Sequence, residues 1–247
     1  MPRCPKGTRR NKKTGNCEST NPTAAPVKNK RCPKGTRRNK KTGNCETTSL
    51  SVNNANTVKI NDSNIHNLVK LYIEDKNKLP ENLKNISKWD VSKVTNMKSL
   101  FAEYSNFNEP LGDWDVSKVT DMQGMFAGCD TFDQPLNNWK VHNVKNMKYM
   151  FLDCRWFDKP LNNWDVGKVI DMEGMFFGCH SFNQPLNKWD VSNVRNMKDM
   201  FSFCHSFNQP LNKWDVKKVE NIRDIFYDCL LNEEYYPNFK SSLWDYD

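Results

Sequence analysis

The sequence has no apolar run near the roughly 20 residues that a membrane-spanning helix needs. Its first thirty residues also lack the apolar segment that forms the centre of a secretory signal peptide. The chain is therefore predicted neither to span a membrane nor to be exported by the standard route.

Histidine is scarce as well, and only His180 and His205 among the four histidines are one repeat length apart. No Ser/His/Asp or Cys/His arrangement, glycine-rich phosphate loop or metal-ligand quartet occurs at a usable spacing. Methionines that recur at helical spacing beside Phe favour core packing over copper or haem binding. The sequence thus predicts a protein that is not an enzyme and that binds no cofactor or metal.

Positive charge is concentrated at one end of the chain. Residues 1–48 contain fourteen Lys or Arg and two Glu, a net of +12. Residues 49–247 contain 23 Lys or Arg and 27 Asp or Glu, a net of −4. The basicity therefore belongs to an N-terminal arm and not to the rest of the protein.

The arm contains a perfect duplication, because residues 3–18 (RCPKGTRRNKKTGNCE) recur at 31–46. Each copy lacks aliphatic and aromatic residues, so it cannot bury enough apolar surface to form a core. We expect residues 1–48 to be mostly disordered and residues 49–62 to be a linker. The Pro-Lys-Gly and Thr-Gly-Asn triplets predict turns that bring the two ends of each copy together.

The arm cysteines allow three interpretations. Disulfides Cys4–Cys17 and Cys32–Cys45 fit the duplicated spacing and would close two small loops. A shared zinc site is an alternative, although the closely spaced Cys pair typical of such sites is missing. Free thiols are the third interpretation, and the one expected in a reducing compartment.

Two clusters of basic residues in the arm predict binding to a polyanion. Such clusters attract phosphate backbones without recognising sequence, and they also resemble nuclear-localisation signals. Aromatic residues for base stacking are missing from both clusters. The candidates are Lys6, Arg9, Arg10, Lys12, Lys13, Lys34, Arg37, Arg38, Lys40 and Lys41.

Residues 88–237 consist of six copies of one 25-residue unit, without insertions or deletions. We number positions 1 to 25 within each repeat, so that Trp occupies position 2 and Phe occupies position 14. A fixed period of this length is typical of a solenoid, in which each repeat stacks on the one before. The repeats are 88–112, 113–137, 138–162, 163–187, 188–212 and 213–237, called repeats 1 to 6.

Each repeat has a pattern that mixes helical and extended spacing. Apolar positions 10, 13, 14 and 17 predict a short helix or 3₁₀ turn. Trp at position 2 and Pro-Leu at positions 23 and 24 predict a strand over positions 24 to 4, with a second extended piece over positions 7 to 10. The predicted fold class is therefore an α/β solenoid.

The segments that flank the repeats are predicted to cap the stack. Residues 63–87 contain four apolar residues at helical spacing, with Asp62 or Ser63 as the N-cap of the helix. Residues 238–247 supply apolar side chains for a C-terminal cap. The helical stripe consists of Ile65, Leu68, Val69 and Tyr72.

We call a set of residues that occupy the same position in successive repeats a column. Three columns of Cys, Asn or Asp are predicted to hold the repeats together. Cys at position 17 in five repeats favours buried thiols over disulfides, because a fifth cysteine would stay unpaired. Asn or Asp at position 9, and Asp at position 3 in five repeats, can satisfy backbone groups at turns. A calcium-binding column at position 3 is the alternative, which Lys140 in repeat 3 disfavours.

Positions 5, 8, 11, 12, 15, 18 and 19 vary between repeats, so they are expected to face outward and to carry any specificity for a partner. Repeat 3 differs most from the others. Its Tyr149, Arg155 and Trp156 are candidate partner-binding residues, because aromatic residues and Arg dominate the energetics of interfaces. The alternative for Trp156 is that it covers the neighbouring repeat.

A resemblance to a known family lies in segment 114–139, WDVSKVTDMQGMFAGCDTFDQPLNNW, and recurs in all six repeats. Its Trp-Asp-Val, Val-x-x-Met, Met-Phe-x-x-Cys and Phe-x-x-Pro-Leu motifs resemble the BspA-like leucine-rich-repeat surface proteins of Mycoplasma-lipoprotein type. The resemblance implies a leucine-rich-repeat-like α/β solenoid that acts in adhesion or protein–protein contact. The Cys-Pro-x-Gly-Thr-Arg-Arg-Asn arm is similar to short tags on proteins of giant DNA viruses.

These patterns lead to two hypotheses about function. The first is a non-enzymatic repeat scaffold for protein–protein interaction or adhesion, with the arm as a polyanion anchor or targeting tag. The second is a virion-associated or nucleic-acid-associated structural protein in which the arm is the main effector. The expected partners are an unidentified protein and, through the arm, nucleic acid or another polyanion, in an intracellular or virion-associated location.

Overall fold

The structure, a computed structural model, describes residues 58–244 in full and the backbone of four three-residue strands nearer the N-terminus. The chain divides into two compact units, Met1–Asn56 and Thr57–Asp247. In the described residues no helix is long and apolar enough to cross a bilayer.

The N-terminal unit contains one antiparallel strand pair in each copy of the duplicated segment. Strand β1 (Thr8–Arg10) pairs with β2 (Cys17–Ser19), and β3 (Thr36–Arg38) pairs with β4 (Cys45–Thr47). The pairing joins the middle of each copy to its C-terminal end. The predicted approach of the two ends of each copy involves Cys4 and Cys32, which lie outside the described residues. The other arm residues, for which we expected disorder, lie outside the described part of the chain.

The second unit begins with helix α1, Ile65–Glu74. One face of this helix packs into the hydrophobic core, while its other face remains in solvent. The predicted apolar stripe is confirmed, because each of its members is buried. These are Ile65, Leu68, Val69 and Tyr72.

The start of α1 differs from the prediction. The N-cap is Asn64 instead of Asp62 or Ser63. The carboxylate of Asp62 contacts repeat 1, where it accepts hydrogen bonds from the N–H groups of Thr95 and Asn96 at 2.7 and 3.1 Å. Repeat 1 has no preceding repeat to accept these bonds, so the carboxylate satisfies backbone donors that the stack would otherwise leave open.

The segment between α1 and the first repeat, residues 75–87, is called the lead-in. Its carbonyl groups accept the same hydrogen bonds as the end of a repeat does further along the stack. The carbonyls of Leu83 and Ile86 accept the indole N–H groups of Trp89 and Trp114 at 2.9 and 2.8 Å. In the later repeats the same acceptor is the leucine carbonyl at position 24, as in Trp139 to Leu111. The lead-in contains three 3₁₀ turns, the last of which extends to the first residue of repeat 1: Lys76–Lys78, Glu81–Leu83 and Ile86–Lys88.

Inside the repeats the predicted strand does not form. Of the predicted short helix or 3₁₀ turn, only single turns closed by i→i+3 hydrogen bonds are present, such as that from the Met125 N–H to the Met122 carbonyl. Residues 89–232, all of which the structure describes, consist of turns and single-residue bridges. The extended piece predicted at positions 7 to 10 is reduced to one residue, at position 9. That residue pairs in parallel with its counterpart in the next repeat, from Asn96 through to Asn221.

Left-handed backbone conformations explain the missing helix. Positions 12 and 16 have φ between 52° and 72° in every repeat, and eight of these twelve residues are Gly or Asp. Gly adopts this region freely and Asp more readily than most residues, but neither can then continue a right-handed helix. The residues are Ser99, Gly124, Tyr149, Gly174, Asp199 and Asp224 at position 12, and Glu103, Gly128, Asp153, Gly178, Phe203 and Asp228 at position 16.

The left-handed residues turn backbone N–H groups towards the next repeat. In repeats 1 to 5 the N–H groups at positions 10, 12, 14 and 16 donate to the carbonyls at positions 9, 11, 13 and 15 of the following repeat, at 2.7–3.0 Å. We call this set of bonds the forward ladder. It joins all six repeats through main-chain atoms alone, so it tolerates different side chains at the same positions.

Columns of stacked aromatic rings form the core. Phe rings at position 14 lie 5.5–5.9 Å apart between centroids from Phe101 to Phe226. Indole rings at position 2 lie 6.3–6.5 Å apart in four neighbouring pairs, with planes within 12° of parallel. The buried columns of Trp, Val, Met, Phe and Leu are those that the sequence predicted.

The last residues of repeat 6 and the segment after it pack against the open end of the stack. Tyr236 stacks on Phe226 at 4.6 Å, and Phe239 is buried. Trp244 remains 39% exposed although it contacts both Tyr236 and Phe239. Two 3₁₀ turns shape this segment, Glu233–Tyr235 and Ser241–Leu243.

Candidate interaction surface

The side chains of two polar columns accept hydrogen bonds from the backbone. The side-chain oxygen at position 9 accepts the N–H of position 11 in all six repeats, at 2.9–3.2 Å. The five aspartates at position 3 accept the N–H of position 5 in the same way, at 3.0–3.3 Å. For Asp90, the hydrogen bonds from Ser92 are the main cause of a lowered pKa. The turn-capping interpretation of both columns is confirmed.

A third polar column, at position 21, was missed by sequence reasoning. The side-chain oxygen of Asn108 accepts the N–H of Asp133, and the same contact continues to Asn208 at 2.9–3.0 Å. The signal was present, because this position is Asn or Asp in the first five repeats. Its residues are Asn108, Asp133, Asp158, Asn183 and Asn208.

The cysteines at position 17 are free thiols, as predicted. The Sγ atoms of Cys129, Cys154, Cys179 and Cys204 donate to the carbonyl of the position 14 phenylalanine in the preceding repeat, at 2.9–3.1 Å. Burial raises the pKa of Cys129 to about 12 and that of Cys229 to about 11. These thiols are therefore poor nucleophiles, and the column is part of the core.

We expect the buried thiols to resist alkylation until the protein unfolds. Cys154, Cys179 and Cys204 should react with iodoacetamide far more slowly than Cys229, which is only partly buried.

The raised pKa of Cys129 also predicts that stability depends on pH. Between pH 9 and about 12 the unfolded thiol ionises while the folded Cys129 stays protonated, so the free energy of unfolding should fall as pH rises through this window. Alkylation is the more direct test of burial. Site-resolved mass spectrometry after iodoacetamide treatment measures the rates, and equal rates for all cysteines in the column would contradict the burial.

The candidates in the arm lie mostly outside the described residues. Of the ten basic candidates the structure places only the backbones of Arg9, Arg10, Arg37 and Arg38, in strands β1 and β3. Cys4 and Cys32, one member of each candidate disulfide, are also outside the described part. Polyanion binding and the state of these cysteines remain predictions.

Arg155 and Trp156 form an exposed pair on the surface of repeat 3. The Trp156 side chain is 65% exposed, which agrees with a contact residue and not with a cover for the next repeat. Its backbone N–H donates to the carbonyl of Asp130, and the Arg155 guanidinium lies 3.8 Å from the same aspartate. Positions 18 and 19 are thus fixed by the backbone while their side chains face solvent.

Tyr149 belongs to a different set of contacts. Its hydroxyl donates to Glu173 Oε1 at 2.5 Å, and its φ is 57°. Glu173 is 9% exposed and also accepts from Lys148 at 2.6 Å and from Asn196 at 2.9 Å. Tyr149 is therefore a structural residue, and its assignment to the partner-binding set is not supported by these contacts.

This buried polar network was missed because positions 11 and 12 vary between repeats and were assigned to the outward face. Lys148 and Glu173 occupy position 11 in successive repeats and have opposite charges. That pairing of charges was the sequence signal for a contact between the two side chains. Burial raises the pKa of Glu173, but the hydrogen bonds from Lys148, Tyr149 and Asn196 outweigh it and lower the pKa overall.

Near the C-terminal end, aromatic side chains at positions 15 and 16 contact one another from repeat to repeat. Phe203 contacts both Phe177 and Tyr227 edge-on, with ring centroids 5.3 Å apart in each case. Tyr227 is 59% exposed. Sequence reasoning assigned position 15, which Phe177 and Tyr227 occupy, to the outward face, but it did not assign position 16 of Phe203 and singled out none of the three residues.

The two histidines that share position 18 stack on each other, with ring centroids 4.7 Å apart. Burial is the main cause of a lowered pKa for His180, and the neighbouring His205 and Arg155 add to it. His205 Nε2 lies 3.1 Å from Asp228. Within the described residues no group of three or more His, Cys, Asp or Glu side chains is placed to hold a metal ion.

The comparisons with known proteins concern the repeats. A family model described as "Mycoplasma protein of unknown function, DUF285" matches residues 67–176 and again residues 154–242. No curated protein and no solved structure matches the chain. Together the two matches cover most of α1, from residue 67, all six repeats and the residues after them up to 242. On this basis the chain belongs to that Mycoplasma-type repeat family, whose function is unknown.

Proposed function

We propose that the protein is a non-enzymatic repeat scaffold that binds another protein through one side of its repeat stack. The observation that carries this proposal is Trp156, whose side chain is 65% exposed beside Arg155. Burial of an exposed indole against a partner removes apolar surface from water and so favours binding. Trp and Arg are also among the residues most enriched at the positions that contribute most of the binding energy of interfaces.

The construction of the stack supports a scaffold. Main-chain bonds of the forward ladder and buried rings hold the repeats together. The side chains at positions 15, 18 and 19 can therefore differ from repeat to repeat without changing the backbone. Repeat proteins commonly place specificity on such a surface.

We also propose that the stack is a solenoid of the leucine-rich-repeat-like kind, as in the BspA-like surface proteins that the repeat motifs resemble. The 25-residue period and the parallel bridges at position 9 support this assignment. In this proposal the arm, with its net charge of +12, is a polyanion anchor or targeting tag. The arm would be the main effector only if the protein were a virion-associated or nucleic-acid-associated structural protein.

Replacement of Trp156 by alanine is expected to abolish capture of the protein partner without changing stability. The full chain is immobilised, and proteins retained from an extract are identified by mass spectrometry beside the Trp156→Ala variant. Ile170→Ala is the matched control, because Ile170 is also apolar and 44% exposed but lies at position 8.

A retained protein supports the proposal only if Trp156→Ala loses it and Ile170→Ala keeps it. If both variants retain the same proteins as the original chain, the assignment of this surface is wrong. Because single hot-spot residues contribute about 2 kcal/mol or more, the expected loss of affinity is at least about thirtyfold.

A further inference from the structure

A row of positive side chains runs along the repeat stack at positions 6 and 8. Every repeat has one Lys or Arg at one of these two positions and none at the other. The cations alternate between the two positions in repeats 2 to 6, which produces a zigzag. We call these residues the cation row: Lys93, Lys118, Lys145, Lys168, Arg195 and Lys218.

The backbone holds the cation row in register. From Thr120 to Glu220, each N–H at position 8 donates to the carbonyl at position 8 of the preceding repeat, at 2.8–2.9 Å. Neighbouring repeats in such an arrangement are about 4.8 Å apart. The six cations therefore follow a line along the stack at a regular interval.

Asparagines keep two lysines of the cation row pointing along the line. Lys168 Nζ donates to Asn143 Oδ1 at 2.8 Å, and Lys218 Nζ donates to Asn193 Oδ1 at 2.7 Å. The amide groups of both asparagines are in turn fixed, because each donates to the carbonyl at position 5 of the preceding repeat at 2.7–2.8 Å. A neutral partner leaves the positive charge of each lysine available to a ligand.

Acidic residues offset part of this row, because Asp90, Asp115 and Asp190 interact electrostatically with Lys93, Lys118 and Lys218. Within the described residues, no acidic residue lines the groove that the C-terminal part of the row borders. This groove of about 310 Å³ is lined by Lys145, Lys168, Ile170, Asn193, Arg195 and Lys218. Arg195 forms an ion pair with Glu220 at one end. The aspartates at position 3 accept backbone N–H groups, and residues 49–247 as a whole have a net charge of −4. The row is thus a local positive feature on an acidic unit.

The spacing and composition of the row select the chemistry of its ligand. A regular line of cations complements a linear chain with regularly repeated anionic groups. Single-stranded nucleic acid normally needs aromatic side chains for base stacking, and the only apolar side chain in the groove is Ile170. A sulfated polysaccharide needs no stacking, and its sugar units advance by about the interval between repeats.

We propose that the cation row binds a linear sulfated polysaccharide along the axis of the stack. The site is distinct from the Trp156 surface and from the basic arm, so it adds a second ligand class to the proposed scaffold. Its failure would leave the protein-binding proposal untouched, because neither Arg155 nor Trp156 belongs to the row.

The test compares full-length chains that differ only in which four cations are removed. All of them carry glutamine in place of the eight central arm cations, so that the arm does not mask the row. The row variant is Lys145→Gln, Lys168→Gln, Arg195→Gln and Lys218→Gln. The control variant has the same net charge and is Lys59→Gln, Lys98→Gln, Lys213→Gln and Lys240→Gln, all exposed positions outside the row. The arm changes are made at Arg9, Arg10, Lys12, Lys13, Arg37, Arg38, Lys40 and Lys41.

The probe is a heparin-derived oligosaccharide longer than the row, with its desulfated form and a single-stranded oligonucleotide of equal charge as comparisons. Binding is measured by titration calorimetry over a range of salt concentrations. We expect the row variant to bind heparin at least about tenfold more weakly than the control variant, with a salt dependence reduced by about one unit for each lost contact.

Three results would overturn the proposal. The first is equal affinity of the row and control variants for heparin, or no binding by the parent chain. The second is equal binding of the desulfated oligosaccharide, which would remove the role of the sulfates. The third is tighter binding of the oligonucleotide, which would identify nucleic acid as the preferred ligand.

Discussion

Replacing Phe151 by alanine is expected to lower the free energy of unfolding by about 3–5 kcal/mol. Phe151 is fully buried in the middle of the position 14 column. Its ring lies 5.6 and 5.7 Å from the rings of Phe126 and Phe176, and 4.4 Å from that of Phe157. Alanine would leave a cavity between three repeats, which main-chain bonds on both sides prevent from collapsing.

Phe226→Ala is the matched control for this prediction. Phe226 occupies the same position in repeat 6 but is only partly buried, with Phe201 on one side and Tyr236 on the other. The same deletion should cost less there, because the end segment can close over the gap and solvent already reaches the ring. Denaturant unfolding followed by circular dichroism gives both values.

Equal losses for the two variants would show that stability does not depend on depth within the stack. That outcome would contradict the arrangement in which each repeat is stabilised by its two neighbours.

Replacing Glu173 by alanine is expected to cost about 2–3 kcal/mol, the second largest effect. The change leaves the Lys148 ammonium, the Tyr149 hydroxyl and the Asn196 amide without their shared acceptor. The Lys148 side chain is 27% exposed, so water can partly hydrate its ammonium group in the variant. The expected loss of unfolding free energy is therefore smaller than for a fully buried ion pair.

Glu173→Gln is the control that separates charge from hydrogen bonding. The amide oxygen can still accept from Tyr149 or Asn196, so its cost should be about 1 kcal/mol. If alanine and glutamine have the same effect, the network contributes through the charge of Glu173 alone.

The network also predicts a pH dependence. The folded pKa of Glu173 is lowered from 4.5, so its contribution is present above pH 4.5 and is lost as pH falls through the lower folded value. Burial and the hydrogen bond to Glu173 raise the pKa of Tyr149 from 10.0 to about 12, so its contribution holds below pH 10 and is lost between pH 10 and about 12. Glu173→Ala should weaken both dependences in urea titrations.

The sequence was sufficient to predict which residues form the core. Burial of Trp, Val, Met and Phe columns follows from a strict 25-residue period, because an apolar residue that recurs in every repeat must contact its own copies. The apolar face of α1 followed from its spacing in the same way. The Asn and Asp columns at positions 3 and 9 were predictable because short polar side chains cap turns.

Local backbone geometry was not predictable from that period. Positions 10, 13, 14 and 17 have helical spacing, yet Gly124 and Gly128 adopt left-handed conformations that interrupt any helix. Tyr149 and Phe203 adopt the same conformation without being residues that favour it. Bonds to the neighbouring repeats impose it there, and such non-local bonds leave no signal in the local sequence.

The candidate partner site was predicted in part. Trp156 and Arg155 were identified because they depart from the repeat pattern, and their exposure agrees with that choice. Tyr149 departs from the pattern as well, but its side chain fills the space above Gly174, where any Cβ would lie 2.4 Å from the ring. A residue that departs from the repeat pattern is therefore expected to make a contact that the other repeats lack. Whether that contact is with a neighbouring repeat or with a partner follows only from the exposure of the side chain in the structure.

The forward ladder gives the stack an electrical polarity opposite to that of an α-helix. Four N–H groups in each of repeats 1 to 5 point towards the C-terminal end, against one at position 8 that points to the preceding repeat, so the dipoles of the ladder place its positive pole at the C-terminal end and its negative pole at repeat 1. At repeat 1 the ladder presents carbonyl groups, and His66 contacts the one at Lys98. The N–H groups of Thr95 and Asn96, which lie just before the ladder, point the other way and are accepted by Asp62. Along the ladder itself, a cap at the repeat 1 end must therefore supply hydrogen-bond donors, whereas a cap at the repeat 6 end must supply acceptors.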